Sequence, residues 1–197
     1  MTLPSLILAS ASPRRVELLR QLEVDFDVLP SQAAEVLHEQ MTAGELSQLN
    51  AYRKARVVSK KHPDAVVLGV DTVVALGAKC FGKPATRDEA RLMLSELQGQ
   101  THYVVTGVCL THLRAHHQRM YAEVTRVTFR SLTRDDIEHY LAKINPLDKA
   151  GAYAIQEHGD DIVRSISGSF SNVVGLPVES LREALAEFGY HLAEVAR

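Results

Sequence analysis

Two adjacent arginines, Arg14 and Arg15, follow a short apolar run and a hydroxyl-rich loop that contains Ser10. Ser12 suits the N-cap of a helix and Pro13 suits its first position, so both arginines fall in the first helical turn. The helix dipole is positive there, which makes each cation unfavourable by about 0.3–1 kcal/mol. A bound anion would offset this cost, because free N–H groups and guanidinium forks together bind phosphate. The segment therefore predicts a phosphate site, with two solvated surface arginines as the alternative.

A carboxylate follows the most apolar segment of the chain. Residues 65–70 are continuously apolar, as expected for a strand buried on both faces, and Asp71 and Thr72 come directly after it. Ligands of open α/β sheets bind outside the carboxyl ends of the strands. At such an end, Asp71 is placed to hold a metal or to activate water, and Thr72 adds a hydroxyl. The alternative is that Asp71 only begins a turn, as acids at strand ends often do.

Three further charged residues are candidates for the site, and the sequence indicates a functional role for some of them more clearly than for others. Lys83 lies between a glycine and a proline, in the run GKP, so its direction is fixed by the backbone on both sides. Lys54 lies at the border of the apolar stripe of a predicted helix. It either offers a point charge to phosphate or solvates its ammonium group. Glu35 lies in a polar loop and, considered alone, is interpreted as a solvated acid.

The segment 148–156 combines an acid, a base and small residues. Small residues permit a close approach between backbone and ligand. Lys149 supplies the base, and Gln156 at the end of the segment can both donate and accept hydrogen bonds at the edge of a nucleobase.

Composition excludes several other classes of protein. The chain has 46% apolar and 23% charged residues and a net charge of −2, which gives no general attraction to nucleic acid. It lacks a P-loop, a dinucleotide fingerprint and a nucleophile elbow. The histidines between 112 and 117 favour a solvated hairpin tip over a metal site. No run of 18 apolar residues occurs and no basic, apolar leader opens the chain, so we expect no membrane span and a cytoplasmic location.

Strand-like and helix-like segments alternate, which predicts an α/β fold with a mixed twisted sheet and flanking helices, in a single domain over 1–197. The predicted strands cover 6–9, 26–29, 65–70, 73–76, 80–81, 102–113, 119–130 and 190–195. The predicted helices cover 13–22, 42–61, 86–98, 133–145 and 177–188. Capping boxes begin the helices at Thr42 and Thr86, and the segment from Thr133 to Asp136 starts another helix. The block 148–172 is punctuated by glycine and serine and is left unassigned.

Taken in order, the motifs resemble the Maf-like nucleotide pyrophosphatase family. They are LILASASPRR (6–15), Glu35, AYRKA (51–55), GVDTVV (69–74), GKP (82–84), TGV (106–108), DKAGAYAIQ (148–156) and NVVGLP (172–177). Each motif alone is compatible with chance, but the complete set in this order and spacing is specific. The resemblance runs from Leu6 to about Pro177.

The resemblance implies an elongated two-lobed α/β fold with a central cleft, similar to that of the inosine triphosphate pyrophosphatases. It also implies hydrolysis of a nucleoside triphosphate to the monophosphate and pyrophosphate with a divalent metal. Mg²⁺ suits carboxylate and phosphate oxygens, with Mn²⁺ or Co²⁺ as alternatives. The expected partner is the nucleotide, with a homodimer as an option and with neither membrane nor nucleic acid.

The family's site residues carry over onto matching positions. Asp71 matches the catalytic proton acceptor, and its role as base, metal ligand or both stays open. The implied catalytic residues are Asp71, Lys54 and Lys83, and the implied metal ligands are Glu35 and Asp71. The implied substrate-binding residues are Ser10, Arg14, Arg15, Thr72, Lys149 and Gln156.

The positions linked to substrate choice resemble the dTTP/UTP branch, because they hold Arg14, Thr72 and Gln156. Two departures concern the nucleobase preference. Glu157 and His158 follow Gln156 where many members have glycine after the glutamine, and Phe170 stands where many have tyrosine. The alternative functions are a 7-methyl-GTP-type pyrophosphatase and a non-catalytic nucleotide-binding regulator of cell division.

Overall fold

The computed structural model describes residues 3–36, 38 and 40–192 and contains one seven-stranded sheet flanked by helices. The strands are β1 (Leu6–Leu8), β2 (Phe26–Val28), β3 (Val66–Leu76), β4 (Lys79–Phe81), β5 (Thr101–His112), β6 (His117–Phe129) and β7 (Val163–Ser167). The helices are α1 (Pro13–Arg20), α2 (Ala43–Ser59), α3 (Arg87–Leu97), α4 (Arg134–Lys143), α5 (Gly159–Ile162), α6 (Phe170–Val174) and α7 (Val178–Ala186), with a 3-10 turn at Ala150–Ala152. The predicted α/β class with a mixed sheet is confirmed.

The sheet has the order β2-β1-β3-β5-β6-β7, with β4 also paired to β3. Strand β1 is parallel to both β2 and β3, whereas all the other pairs are antiparallel. The chain runs from β1 through α1 to its parallel neighbour β2, and from β2 through α2 to β3, as parallel strands require crossover connections. In the described part of the chain, no helix is long and apolar enough to cross a membrane.

Two large apolar clusters lie along the same long strands and form two lobes. Near one end of the sheet, Val66 and Leu110 pack with the apolar residues of α1 and α7. Further along the same strands, Val74, Val104 and Phe129 pack with α3 and α4. A smaller cluster lies on the opposite face under α2. Between the two large clusters, the long strands pass a cleft.

Two glycines let α2 lie directly against the sheet. A Cβ atom at Gly69 would lie 2.1 Å from the carbonyl oxygen of Ala51, and one at Gly107 would lie 2.3 Å from the carbonyl carbon of Ser47. Real Cβ atoms essentially never approach another heavy atom this closely. The helix therefore packs at a distance that only glycine at both positions allows.

The predicted strand end before Asp71 is wrong. Strand β3 continues through Asp71 to Leu76, and the chain turns only at Gly77, whose φ is +58°. A carboxylate is tolerated in the middle of this strand because α2 supplies hydrogen-bond donors to it. The strand is nevertheless open there: β1 pairs with β3 only as far as Leu68, and β4 begins to pair at Val74. On that edge, positions 69–73 have no strand neighbour among the described residues, and the cleft opens at this gap.

The unassigned block 148–172 contains the 3-10 turn, α5, β7 and α6. Strand β7 was missed because its alternation is short and its partner, β6, is distant in sequence. The strand predicted at 190–195 is absent at 190–192, where the Tyr190 hydroxyl donates to the Pro4 carbonyl oxygen at 2.6 Å. Residues 193–195 lie outside the described part of the chain.

The predicted capping box forms in full at Thr42, and a second full box, which was not predicted, forms at Thr133. At Thr86 only the threonine half forms, because Glu89 accepts a hydrogen bond from the Ala85 amide. The last helix begins at Val178, one residue later than predicted.

Candidate active site

A buried charge cluster lies on the floor of the cleft. The Lys54 ammonium lies 2.7 Å from Asp71 Oδ1 and 2.7 Å from Glu35 Oε1. The Asn50 amide donates to the other Asp71 oxygen, Oδ2, at 3.1 Å. The Asp71 side chain is only 7% exposed and that of Lys54 11%, whereas that of Glu35 is 41% exposed. We call Asn50, Lys54, Asp71 and Glu35 the floor cluster.

The close packing of α2 determines this geometry. Asn50 and Lys54 are four residues apart, so they lie on one face of the helix, and the glycines of the sheet bring that face to Asp71. The Asn50 amide also bonds both backbone groups of Val36, at 2.8 Å and 3.0 Å, and so anchors the loop that carries Glu35. Asn50 was not among the predicted site residues. Its spacing from Lys54 was the signal that could have revealed it.

The floor cluster keeps Glu35 ionised. Partial burial alone would raise the pKa of Glu35, but the charge and hydrogen bond of Lys54, assisted by the charges of Lys83 and Arg15, lower this pKa overall. Lys83 Nζ lies 3.7 Å from Glu35 Oε1, and half of its side chain is exposed. Lys83 is therefore oriented toward the cluster and still accessible to a ligand.

All three nitrogens of the Arg15 guanidinium donate hydrogen bonds within the protein. Nε donates to the Gly175 carbonyl oxygen at 2.8 Å, one terminal nitrogen to Ser10 Oγ at 3.2 Å, and the other to Thr72 Oγ1 at 3.0 Å. Burial lowers the pKa of the Arg15 guanidinium. These contacts join α1, β3 and the loop after α6. Arg15 therefore connects the two sides of the cleft and also contributes a positive charge to its lining.

Arg14 instead takes part in an ion-pair network at the mouth of the cleft. Its guanidinium donates to Asp148 Oδ2 at 3.0 Å and to the Asp148 carbonyl oxygen at 3.1 Å. Lys149 lies 2.9 Å from Asp148 Oδ1 and 3.3 Å from Glu157 Oε1. We call Arg14, Asp148, Lys149 and Glu157 the rim network. Partial burial would raise the pKa of Asp148, but hydrogen bonds from Lys149 and Arg14 lower it overall.

Ser12 occupies the N-cap position of α1 but makes no side-chain capping bond within the described residues. The predicted N-cap position of Ser12 is confirmed, and the Ser12 amide donates to Ser10 Oγ at 3.2 Å. The amides of the first turn thus remain available to an anion in the adjoining cavity.

Two adjoining cavities make up the cleft and bring every predicted site residue together. The predicted residues among those that line them are Ser10, Arg14, Arg15, Glu35, Lys54, Asp71, Thr72, Lys83, Lys149 and Gln156. One cavity follows the loop from β1 into α1. The other has apolar walls that include Val74, Val104 and Tyr153. Five cations and three carboxylates line the two cavities, so the lining carries a positive excess suited to a polyanion.

Two carboxylates of the floor cluster are candidate ligands for a divalent cation. Glu35 Oε1 and Asp71 Oδ1 both lie 2.7 Å from one nitrogen, so they converge on one point. The described residues contain no group of three or more histidine, cysteine or acidic side chains that could hold a metal. Mg²⁺ commonly binds through one or two carboxylates together with substrate phosphates. The pair fits a cation that arrives with a polyphosphate.

A mixed sheet with an acidic floor beneath a cation-lined cleft defines an α/β protein with a site for a polyanion. The chain belongs to the Maf-like protein family, whose sequence model matches residues 5–188.

Curated relatives match nearly the whole chain. A dTTP/UTP pyrophosphatase of Akkermansia muciniphila is 43% identical over 95% of this chain and 98% of its own. A protein of the same name from Bacillus velezensis is 45% identical over 93% of this chain and 96% of its own. Among solved structures, a HAM1 protein from Coxiella burnetii covers 93% of this chain and 99% of its own, with 16% identity and a TM-score of 0.47.

Proposed function

We propose that this chain is a nucleoside triphosphate pyrophosphatase that hydrolyses dTTP and UTP to the monophosphate and pyrophosphate with a divalent metal. The names of its relatives support this proposal. The observation that carries it is the buried Asp71 carboxylate, held by Lys54 and Asn50 on the floor of a cleft lined by cations. Phosphoryl-type transfer depends mostly on positioning and electrostatic stabilisation, and this arrangement offers both.

The triphosphate would occupy the cavity along the loop between β1 and α1. Arg14 and Lys83 face that cavity with accessible cationic groups, and Lys54 reaches it from below. Arg15 adds its charge while it remains bonded to Ser10. These cations stabilise the charge that moves to the β-phosphate as the bond to the α-phosphorus breaks.

Asp71 would accept the proton of the attacking water. The water oxygen forms a bond to the α-phosphorus, the bridging oxygen leaves with the β- and γ-phosphates as pyrophosphate, and the water proton passes to an Asp71 oxygen. Asn50 donates a hydrogen bond to Oδ2, so the proton would go to Oδ1. That oxygen also accepts a hydrogen bond from Lys54. Fixing one oxygen orients the other toward the reacting group.

Glu35 and Asp71 would hold the divalent cation, with Mg²⁺ preferred and Mn²⁺ or Co²⁺ as alternatives. Bound there with the substrate phosphates, such a cation lowers the pKa of water and neutralises developing charge. Lys54 bonds the same two carboxylate oxygens, so a cation bound there would compete with the ammonium group for them.

A product assay over a nucleotide panel tests the proposal. The purified protein is incubated with dTTP, UTP, CTP and 7-methyl-GTP, with Mg²⁺ and with a chelator. We expect pyrophosphate and monophosphate, fastest from dTTP and UTP, and a loss of turnover with the chelator. Orthophosphate and diphosphate as products would contradict the reaction. A preference for 7-methyl-GTP would move the chain to that branch, and tight binding without turnover would identify a nucleotide-binding regulator.

A further inference from the structure

A continuous chain of hydrogen bonds leads from the cleft into the core. An Arg15 terminal nitrogen donates to Thr72 Oγ1 at 3.0 Å. Thr72 Oγ1 lies 3.0 Å from Thr106 Oγ1, and Thr106 Oγ1 lies 3.3 Å from the carbonyl oxygen of Asn172. Thr106 belongs to the TGV motif and Asn172 to the NVVGLP motif, and neither residue has a part in the reaction described above.

The two ends of this chain fix the direction of every hydrogen in it. A guanidinium only donates and a carbonyl oxygen only accepts. Thr106 therefore gives its hydrogen to the Asn172 carbonyl, and its oxygen accepts from the Thr72 hydroxyl. Thr72 accepts from Arg15 and gives its single hydrogen to Thr106. Thr72, which lines the cleft, consequently keeps one free lone pair on its oxygen and has no hydrogen left to donate.

The inner end of the chain is rigid. Thr106 is directly opposite Thr72 in the β3–β5 register, and both Thr106 and Asn172 are completely buried. The Asn172 side-chain amide is bonded to the Val104 carbonyl oxygen at 3.1 Å and to Thr125 Oγ1 at 2.9 Å. The acceptor at this end therefore keeps its position whether or not a ligand is bound.

Thr72 is a polar point beside an apolar wall. Val74 is two residues further along β3 and so on the same face of the sheet, and its register partner is Val104. Both valines line the cavity together with Tyr153 and Val174. A flat heteroaromatic ring fits such a wall, and its polar edge then meets the Thr72 oxygen.

We propose that Thr106 is a positioning residue. Because Thr106 takes up the hydrogen of the Thr72 hydroxyl, Thr72 can only accept a hydrogen bond from the nucleobase and cannot donate one. This inference rests on the proposed function and concerns how the same site selects its substrate. Uracil and thymine share one N–H group, at N3, which can donate to Thr72. Cytosine has an unprotonated N3, which meets the Thr72 lone pair without a hydrogen between them. A site built around one fixed hydrogen bond rejects the analogue that cannot form it.

The variant Thr106→Val tests the inference, because it keeps the shape and removes the hydroxyl. The Thr72 hydrogen then loses its acceptor and can turn toward the cleft and donate to cytosine. We expect the ratio of kcat/KM for UTP to that for CTP to fall about tenfold, the equivalent of one neutral hydrogen bond. Thr106→Ser retains the hydroxyl and should retain the ratio. Thr111→Val is the matched control, since Thr111 is a buried threonine of β5 outside the cavities.

Binding provides a second readout that does not need turnover. In the Asp71→Asn background, the Kd of UTP and of CTP is measured with and without Thr106→Val, and the two constants should approach each other in the double variant. If valine prevents folding, Thr106→Cys carries the same expectation, because a thiol is a weak acceptor. An unchanged ratio in a folded Thr106→Val protein that hydrolyses UTP would overturn the inference alone. A wild-type protein without activity on UTP and dTTP would overturn the proposed function instead.

Discussion

The floor cluster and the rim network place similar charges in one cleft but in different surroundings. The floor is buried, and its Lys54 is bonded by carboxylates from β3 and from the loop after β2. In the rim, Asp148 and Glu157 are about half exposed although Lys149 is buried, and the Arg14–Asp148 pair joins α1 to the segment before the 3-10 turn. Exposed ion pairs contribute about 0–1 kcal/mol, whereas a buried pair that loses one partner leaves a costly unpaired charge. We therefore expect the floor to keep its geometry, whereas Arg14 can exchange Asp148 for a polyanion at little cost.

The largest effect should come from the floor. We expect Asp71→Asn to lower turnover of dTTP by about 10²–10⁴-fold, the range typical for a positioned acid–base group. Nucleotide binding should persist because all five cations remain. The measurement is initial pyrophosphate release together with the Kd of dTTP.

Asp64→Asn is the control for that variant, because Asp64 is an exposed acid that pairs with Arg114 and lines neither cavity of the cleft. Turnover in Asp71→Asn equal to that in the control would remove Asp71 from the reaction.

The adjacent arginines allow the exposed and buried parts of the cleft to be compared directly. Arg14 belongs to the rim network, whereas Arg15 is hydrogen-bonded in the interior. Arg14→Ala should weaken dTTP binding about ten- to a hundredfold, the value of a charge-assisted hydrogen bond, with little change in stability. Arg15→Ala should weaken binding and also lower the free energy of unfolding by about 1–3 kcal/mol, because Gly175, Ser10 and Thr72 lose their donor.

Titration calorimetry and denaturant unfolding of both variants separate these effects. Arg14→Lys distinguishes recognition by two hydrogen bonds of a planar guanidinium from recognition by positive charge alone, because lysine cannot make a planar two-point contact. Equal loss of stability in the two alanine variants would contradict the distinction between rim and interior.

The smallest effect concerns the packing that creates the floor. Gly107→Ala places a methyl group against the backbone of α2, and overpacking of this kind costs about 1–3 kcal/mol. The displacement of α2 should also reduce turnover, since Asn50 and Lys54 move with the helix.

Gly44→Ala is the matched control, because it lies in α2 with nothing within 4 Å of an added Cβ, and it should stabilise the protein by about 0.5–1 kcal/mol. Thermal unfolding and turnover of the two variants test this prediction, and a Gly107→Ala protein as stable as the control would refute it.

The sequence sufficed for the elements whose signals are local. Apolar alternation located β5 and β6, and Thr–x–x–acid patterns located the starts of α2 and α4. It failed for Asp71 because the continuation of β3 depends on donors from α2, and no local pattern contains them. It also failed for β7, whose pairing is non-local.

The candidate site was predicted as a set of residues but without its partners. The motifs identified residues that the structure brings to one cleft, while their roles stay predictions. The pairing of Arg14 with Asp148 and the bonds of Arg15 to Gly175 and Thr72 could not be predicted, because they join segments more than 50 residues apart. The single-domain organisation, the homodimer and the cytoplasmic location also stay predictions.

The three long strands β3, β5 and β6 run through both lobes without a break. Many enzymes open and close by rotation about a flexible hinge that joins two rigid bodies. Here the connection between the lobes is itself a hydrogen-bonded sheet, so rotation of one lobe would require three paired strands to bend together. We therefore expect the mouth of the cleft to keep a nearly constant width, so that a ligand meets walls whose polarity is already in place.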